Sequence, residues 1–288
     1  MPKDISVCLS FDFDAMSVWI SNFKTDSPNA LSRGEFGRVG AQRLLDLLAE
    51  RGLPATWFIP GHTIEAFPRV CEKIVAAGHE VGHHGYCHEN VRHLEPDAER
   101  SILERGSELI RKLCGQAPRG YRAPAGSFSP QTIPLLVEYG FQYDSSMLAD
   151  DFTPYYCRSG DRAPSDAPYE FGNRVDLVEL PFSWNLDDFP AFEYTATRHG
   201  VSPGLADPDR VYAIWAGEFQ YLYEKLGTGV FTLTMHPQTI GRGHRLLMLE
   251  RLLDEIQGRA GVRFCTMGEV AAEWRRANPP PPIAGAPR

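Results

Sequence analysis

The chain has 288 residues, 43% hydrophobic and 23% charged, which is the balance of a soluble globular protein long enough to bury a substantial core. A formal net charge of −8 argues against nucleic acid or anionic lipid as a partner. No apolar run approaches membrane-spanning length and residues 1–4 carry no signal-peptide pattern, so a cytoplasmic location without membrane association is expected.

The apolar run at residues 5–9 predicts a buried strand that ends in Ser10-Phe11-Asp12-Phe13-Asp14. Side chains alternate faces along a strand, so Asp12 and Asp14 should point the same way, an arrangement that a cation or a shared proton would relieve. Residues 17–37 are polar with no clear period. Leu44, Leu47 and Leu48 mark an amphipathic helix that stops at Gly52, and residues 55–59 read as a second strand. A helix over 70–77, a short strand at 80–82, a helix carrying Ile102, Leu109, Ile110 and Leu113, and a strand at 120–122 follow. Ser129-Pro130 is read as the N-cap and first turn of a helix ending at Gly140.

From 147 to 206 the alternation breaks into a long irregular insertion rich in Pro, Asp and aromatics, with one strand-like piece at 177–180. Segments of this kind usually cover a site or bind a ligand. A helix from Asp207-Pro208 to Gly227, a strand at 230–234, a helix over 244–257 and a strand at 262–264 resume the pattern. Thr266 with Glu269 forms a capping box for the last helix, ahead of a Pro-rich tail over 278–288. Strand and helix alternating along the whole chain predict an α/β fold: one domain over 1–288, a distorted (β/α) barrel of seven or eight parallel strands.

In such barrels the site lies at the C-terminal ends of the strands. The predicted exits carry Asp12 and Asp14, then His62, then His83, His84 and His88, then Arg122, and finally His236. His84 and His88 are four residues apart and suit one metal ion if the chain turns helically there. With one carboxylate they form a three-ligand set that leaves a position open, as a catalytic zinc site requires; iron and other divalent ions also suit it. Six cysteines, Cys8, Cys71, Cys87, Cys114, Cys157 and Cys265, lack CxxC spacing and read as reduced thiols, with Cys87 packing rather than ligating. His83 is expected to point away from the site. His79, His93, His199 and His244 read as surface residues.

Taken together, Ser10-Phe11-Asp12-Phe13-Asp14, His84-x-x-x-His88, Arg122-Ala123-Pro124 and Leu233-Thr234-Met235-His236 resemble the polysaccharide deacetylase superfamily, in order and across most of the chain. The resemblance implies a distorted (β/α) barrel that hydrolyses non-peptide carbon–nitrogen bonds. It implies Asp12 as general base oriented by Arg122, His236 as general acid, and Asp14, His84 and His88 as ligands of a divalent metal, zinc first among the candidates. The family's adjacent Asp-Asp is split here by Phe13, Gly85 stands where Ser or Thr is usual, and Trp184-Asn185-Leu186-Asp187 matches the Trp-Asp motif only in part. Pro60-Gly61-His62-Thr63, Asp144-Ser145-Ser146 and His236-Pro237-Gln238 resemble the branch holding cyclic-imide hydrolases, allantoinase-like enzymes and a few peptidoglycan deacetylases.

Trp184 and His62 are candidate substrate-binding residues, and Phe189 and Tyr156 candidate walls of a slot. A long cover over the site suits a compact substrate, so a small cyclic imide, ureide or amide is expected. The alternatives are N-deacetylation of polysaccharide or peptidoglycan amino sugars, or an inactive binding or scaffold member of the family. A homo-oligomer is left open.

Overall fold

The computed structural model describes residues 2–280 apart from 194, 198, 199 and 203. The elements in chain order are β1 (Asp4–Asp12), α1 (Ser17–Ser21), α2 (Pro28–Glu35), α3 (Gly37–Arg51), β2 (Thr56–Ile59), α4 (Gly61–Ala66), α5 (Pro68–Ala76) and β3 (Glu80–His83). Then come α6 (Pro96–Cys114), β4 (Gly120–Tyr121), α7 (Thr132–Glu138), β5 (Tyr143–Asp144), β6 (Tyr155–Ser159), β7 (Asn173–Glu179) and α8 (Asp188–Phe192). The remainder is β8 (Thr195–Thr197), β9 (Gly200–Ser202), α9 (Pro208–Tyr221), β10 (Thr228–Met235), α10 (Pro237–Ile240), α11 (Gly243–Ile256), β11 (Val262–Phe264) and α12 (Met267–Ala277).

The main sheet runs β10-β1-β2-β3-β4-β5-β7-β6, with β11 also paired to β1. All its pairs are parallel except β6 with β7. It curls into a distorted (β/α) barrel that stays open between its end strands β6 and β10; among the described residues, an isolated bridge joins Asp187 to Thr234 of β10. β1 is the organising strand. One edge pairs with β10 from Asp4 to Phe11, while the other is shared between β11 (Ile5–Val7) and β2 (Ser10–Asp12).

Period-two alternation sorts β1 into two environments. Ile5, Val7, Leu9 and Phe11 join the outer core with Leu44 and Leu48 of α3 and Leu249 and Leu252 of α11. Cys8 belongs to the inner cluster with Phe58, Tyr143 and Met267. All six cysteines are free. Among the described residues no helix is long and apolar enough to cross a membrane.

Three expectations are corrected. The stretch 17–37 holds α1 and α2, too short to show a period. The helix expected at Ser129-Pro130 begins at Thr132, because the Ser129 hydroxyl accepts from Gln131 N–H at 2.9 Å and makes a separate turn. The insertion is less irregular than expected: its β7 is a barrel strand beside β5, and β6 folds back on β7 as the antiparallel edge. Residues 281–288 of the Pro-rich tail, and His199, lie outside the described residues.

The barrel floor is closed by the start of α12. Glu80 Oε2 accepts the Gly268 N–H at 2.8 Å and the Thr56 hydroxyl at 3.0 Å, while Thr266 and Glu269 form the expected capping box. Removing the Glu80 carboxylate leaves those buried donors without an acceptor. Glu80→Ala is therefore expected to cost about 1–3 kcal/mol of stability, read from the midpoint of urea unfolding, with Glu80→Gln retaining part of it. Equal midpoints for Glu80→Ala and the wild type would contradict this account of the floor.

Candidate active site

Asp12, Asp14, His84, His88, Arg122 and His236 all stand at or just beyond the C-terminal end of a strand. Asp12 is the last residue of β1 and lies on its inner face. Asp14 follows on a turn whose geometry is held from behind, because its backbone carbonyl accepts the hydroxyls of Ser17 (2.7 Å) and Thr63 (2.8 Å). Both carboxylates reach one centre, as their alternation implied: His84 Nε2 lies 3.8 Å from Asp12 Oδ2 and 3.4 Å from Asp14 Oδ1.

His84 follows β3, and the loop after it is not helical, contrary to the expectation from the four-residue spacing. Gly85 and His88 both have left-handed backbones (φ 69° and 56°), and the Glu89 carboxylate accepts the N–H groups of Tyr86 and Cys87 at 3.0 and 2.8 Å. A turn gathered around Glu89 thus brings the two imidazoles to 5.0 Å between centroids, edge to face. Holding a non-glycine residue at positive φ costs energy and is characteristic of functional sites.

The tautomers follow from the outer contacts. His84 Nδ1 donates to the Arg122 carbonyl at 2.8 Å, and His88 Nδ1 to Asn22 Oδ1 at 2.5 Å. Each ring therefore turns an Nε2 lone pair toward Asp14, whose Oδ1 is 3.4 Å from His84 Nε2 and 3.9 Å from His88 Nε2. Asp14, His84 and His88 offer ligand atoms within 4.8 Å of one another, all buried. Asp14 Oδ1 and His84 Nε2 have no hydrogen-bond partner of good geometry, an expensive condition for buried polar atoms unless a cation satisfies them. Two ligands held about 2 Å from one ion at a tetrahedral angle lie roughly 3.3 Å apart, close to the Asp14–His84 separation. The donor set fits a divalent metal.

Electrostatics agree with that fit. Burial alone would raise the Asp14 carboxyl, but the surrounding imidazoles of His88, His84 and His236 bring it down to about 2. Burial takes His88 down to about 4 against the pull of Asp14, so the ring is neutral at pH 7. His84 is raised despite burial by Asp12 and Asp14, two charges that would favour a cation equally. Cys87 lies outside this ligand group, and burial pushes its thiol up to about 11. His83 also points away: its Nε2 meets the Leu103 carbonyl at 3.1 Å, and burial lowers it to about 3.

Arg122 Nη1 donates to Asp12 Oδ1 at 3.0 Å and to the Ser10 hydroxyl at 2.9 Å. Its Nε and Nη2 are taken by the Ser145 carbonyl (2.8 Å) and hydroxyl (3.0 Å), and its guanidinium lies over the Phe58 ring at 4.5 Å. A buried guanidinium fixed at every nitrogen can hold Asp12 in one orientation. On the opposite wall, His236 Nε2 lies 3.9 Å from Asp12 Oδ2 and 3.7 Å from Asp14 Oδ2. Its Nδ1 donates to Asp188 Oδ1 at 2.7 Å, and its backbone N–H reaches the same carboxylate at 3.0 Å. Burial opposes charge on this ring, but Asp188, Asp187 and Asp14 outweigh it and raise His236 to about 10.

These groups line one cavity of about 250 Å³, walled on its apolar side by Val18, Phe23, Phe182, Trp184 and Phe189. Of the expected substrate-binding residues, Trp184 is on this wall and 45% exposed. His62 is not brought there. It faces a separate surface hollow beside Met16, Leu31 and Phe67, because α4 starts at Gly61 and turns its side chain away from the barrel axis. Tyr156 is also elsewhere, its hydroxyl on the Asn278 carbonyl (2.7 Å) and its ring against Trp274. Sequence reasoning missed Asn22, Asp188 and the role of Gln238, whose amide donates to Asp14 Oδ2 at 3.3 Å. Asp188 adjoins the Asp187 of the partial motif, which was the available signal; Asn22 stood in a stretch with no pattern.

Over 97% of this chain and 99% of its own length, a peptidoglycan deacetylase of Helicobacter pylori is 40% identical. The chain belongs to the polysaccharide deacetylase family. The family's sequence profile matches residues 26–143. A solved structure from Mycobacterium smegmatis that carries the polysaccharide deacetylase name superposes with a TM-score of 0.84 at 33% identity, over 100% of this chain and 96% of that one. The Puue allantoinase superposes at 0.77 with 22% identity, over 96% of this chain and 92% of that one; at that identity it shows the shared fold alone.

Proposed function

We propose that the protein is a metal-dependent N-deacetylase acting on N-acetylated amino sugars of peptidoglycan or a related polysaccharide. The observation that carries this reading is one cavity holding the Asp14–His84–His88 donor set between two differently anchored groups, Asp12 tied to Arg122 and His236 tied to Asp188. The small cyclic imide or ureide favoured by the sequence alone fits less well, since the relative matched over its whole length is a peptidoglycan deacetylase. A cell-wall polymer as substrate would put the site of action at the wall rather than in the cytoplasm expected above.

Asp14, His84 and His88 would hold the cation, with zinc first among divalent candidates for this donor set. When bound, such an ion supplies Lewis acidity toward a carbonyl oxygen and lowers the pKa of water. Asp12, with Oδ1 bound to Arg122, keeps Oδ2 directed into the cavity, where it can accept the proton of attacking water. His236 is protonated at neutral pH and has Nδ1 tied to Asp188, so Nε2–H is the proton available to a leaving nitrogen. Val18, Phe23 and Phe189 offer an apolar wall suited to an acetyl methyl and exclude bulk water from the developing charge.

The test compares acetate release from N-acetylglucosamine oligomers and peptidoglycan with ring opening of succinimide, dihydrouracil and allantoin, at matched enzyme and metal. Acetate release without ring opening is expected. Ring opening alone would restore the small-substrate reading, and metal-loaded protein active on neither class would support the inactive scaffold.

A further inference from the structure

We infer that Asn22 is a positioning residue for the metal ligand His88, setting its tautomer and so the affinity of the site. The inference rests on the reading of His88 as a ligand.

The two histidines are oriented by different means. His84 Nδ1 is held by a main-chain carbonyl, that of Arg122, which any residue at that position would supply. His88 Nδ1 is held by a side chain, Asn22 Oδ1, from a segment 66 residues away. His88 sits at φ 56° on a turn, so no helix or strand constrains its ring. The hydrogen bond that orients this ligand comes from one side-chain carboxamide.

Asn22 is itself well placed. α1 starts three residues beyond Asp14, with Ser17 bonded to the Asp14 carbonyl, and Asn22 closes it by donating its N–H to the Val18 carbonyl at 3.0 Å. Trp19 anchors this short helix, buried to 1% exposure with its ring 6.4 Å from Phe189. The same segment therefore carries one ligand, Asp14, and the group that orients another, His88.

A carboxamide can face an imidazole with either its oxygen or its NH₂. Only the oxygen, the atom found against Nδ1, requires a proton on Nδ1 and leaves Nε2 with a free lone pair. The reverse would place the proton on Nε2, facing Asp14, and remove the ligand atom. Asp at position 22 can only accept, so it preserves the productive tautomer; Ala supplies no acceptor.

The experiment is competition for Zn²⁺ between a chromophoric chelator and metal-free wild type, N22A, N22D and H88A. Two-bond ¹H–¹⁵N spectra of the metal-free proteins report the His88 tautomer independently of activity. The wild type should show His88 protonated on Nδ1, N22A should bind Zn²⁺ about 10–100-fold more weakly with its tautomer shifted toward Nε2–H, and N22D should stay within about threefold of wild type. Unchanged affinity in N22A, or equal weakening in N22A and N22D, would overturn the assignment. H88A binding Zn²⁺ as tightly as wild type would show instead that His88 is no ligand, and the inference would fall with that reading.

Discussion

Asp14→Ala and His88→Ala should each lose bound metal and hydrolysis together. The wild type, purified and reconstituted, is expected to hold about one equivalent of a divalent ion, and each variant under about a tenth, by elemental analysis. The loss should exceed the roughly 10–100-fold weakening that follows removal of an outer hydrogen-bond partner. The reason is geometric. Asp14 Oδ1 faces both imidazoles, so deleting it leaves two rings with no shared anionic partner. Deleting His88 leaves a carboxylate and a single ring. A variant that keeps its metal with wild-type affinity while losing activity would move that residue from ligand to proton carrier. Neither side chain belongs to the apolar core, so cooperative thermal unfolding should persist in both and separate loss of metal from loss of fold.

His236→Ala should show the opposite pattern, with metal retained and turnover slowed by about 10²–10⁴, the share of a general acid. Asp188→Asn sharpens the point. Asp188 is the charge nearest His236 and the acceptor of its Nδ1 proton. Replacing it with a neutral amide removes the principal stabilisation of the imidazolium and lowers the His236 pKa from its raised position near 10. A general acid works while protonated, so activity is lost as pH rises through that pKa. The alkaline limb of the rate profile should therefore move to lower pH in Asp188→Asn, with metal content unchanged. An alkaline limb that stays in place would mean that His236 is not the acid it reports.

Much of this site was legible before any coordinates. β1 announces itself through an apolar run with carboxylates at its end, because a buried strand excludes charge everywhere except at its exit. The same logic located His84, His88, Arg122 and His236, since a barrel collects its strand exits at one rim however distant they are in sequence. What failed were short or unperiodic pieces. β5 has two residues, too few for alternation, and of the hairpin that β7 shares with β6 only the piece at 177–180 stood out, the rest being polar. The four-residue spacing of His84 and His88 suggested a helix, but the turn around Glu89 solves the same problem with positive φ.

The sequence by itself therefore determined the barrel, the rim and the kinds of chemistry gathered there, because those follow from local periodicity and from which residues sit at strand ends. Only the tertiary structure decided the outer partners: Asn22 for His88, Asp188 rather than Asp187 for His236, Ser10 and Ser145 around Arg122, and the departure of His62 from the cavity. Each of these depends on how two distant segments meet across the barrel mouth. A hydrogen bond reaches about 3 Å and has strict direction, so the partner is chosen by packing, which no local pattern encodes.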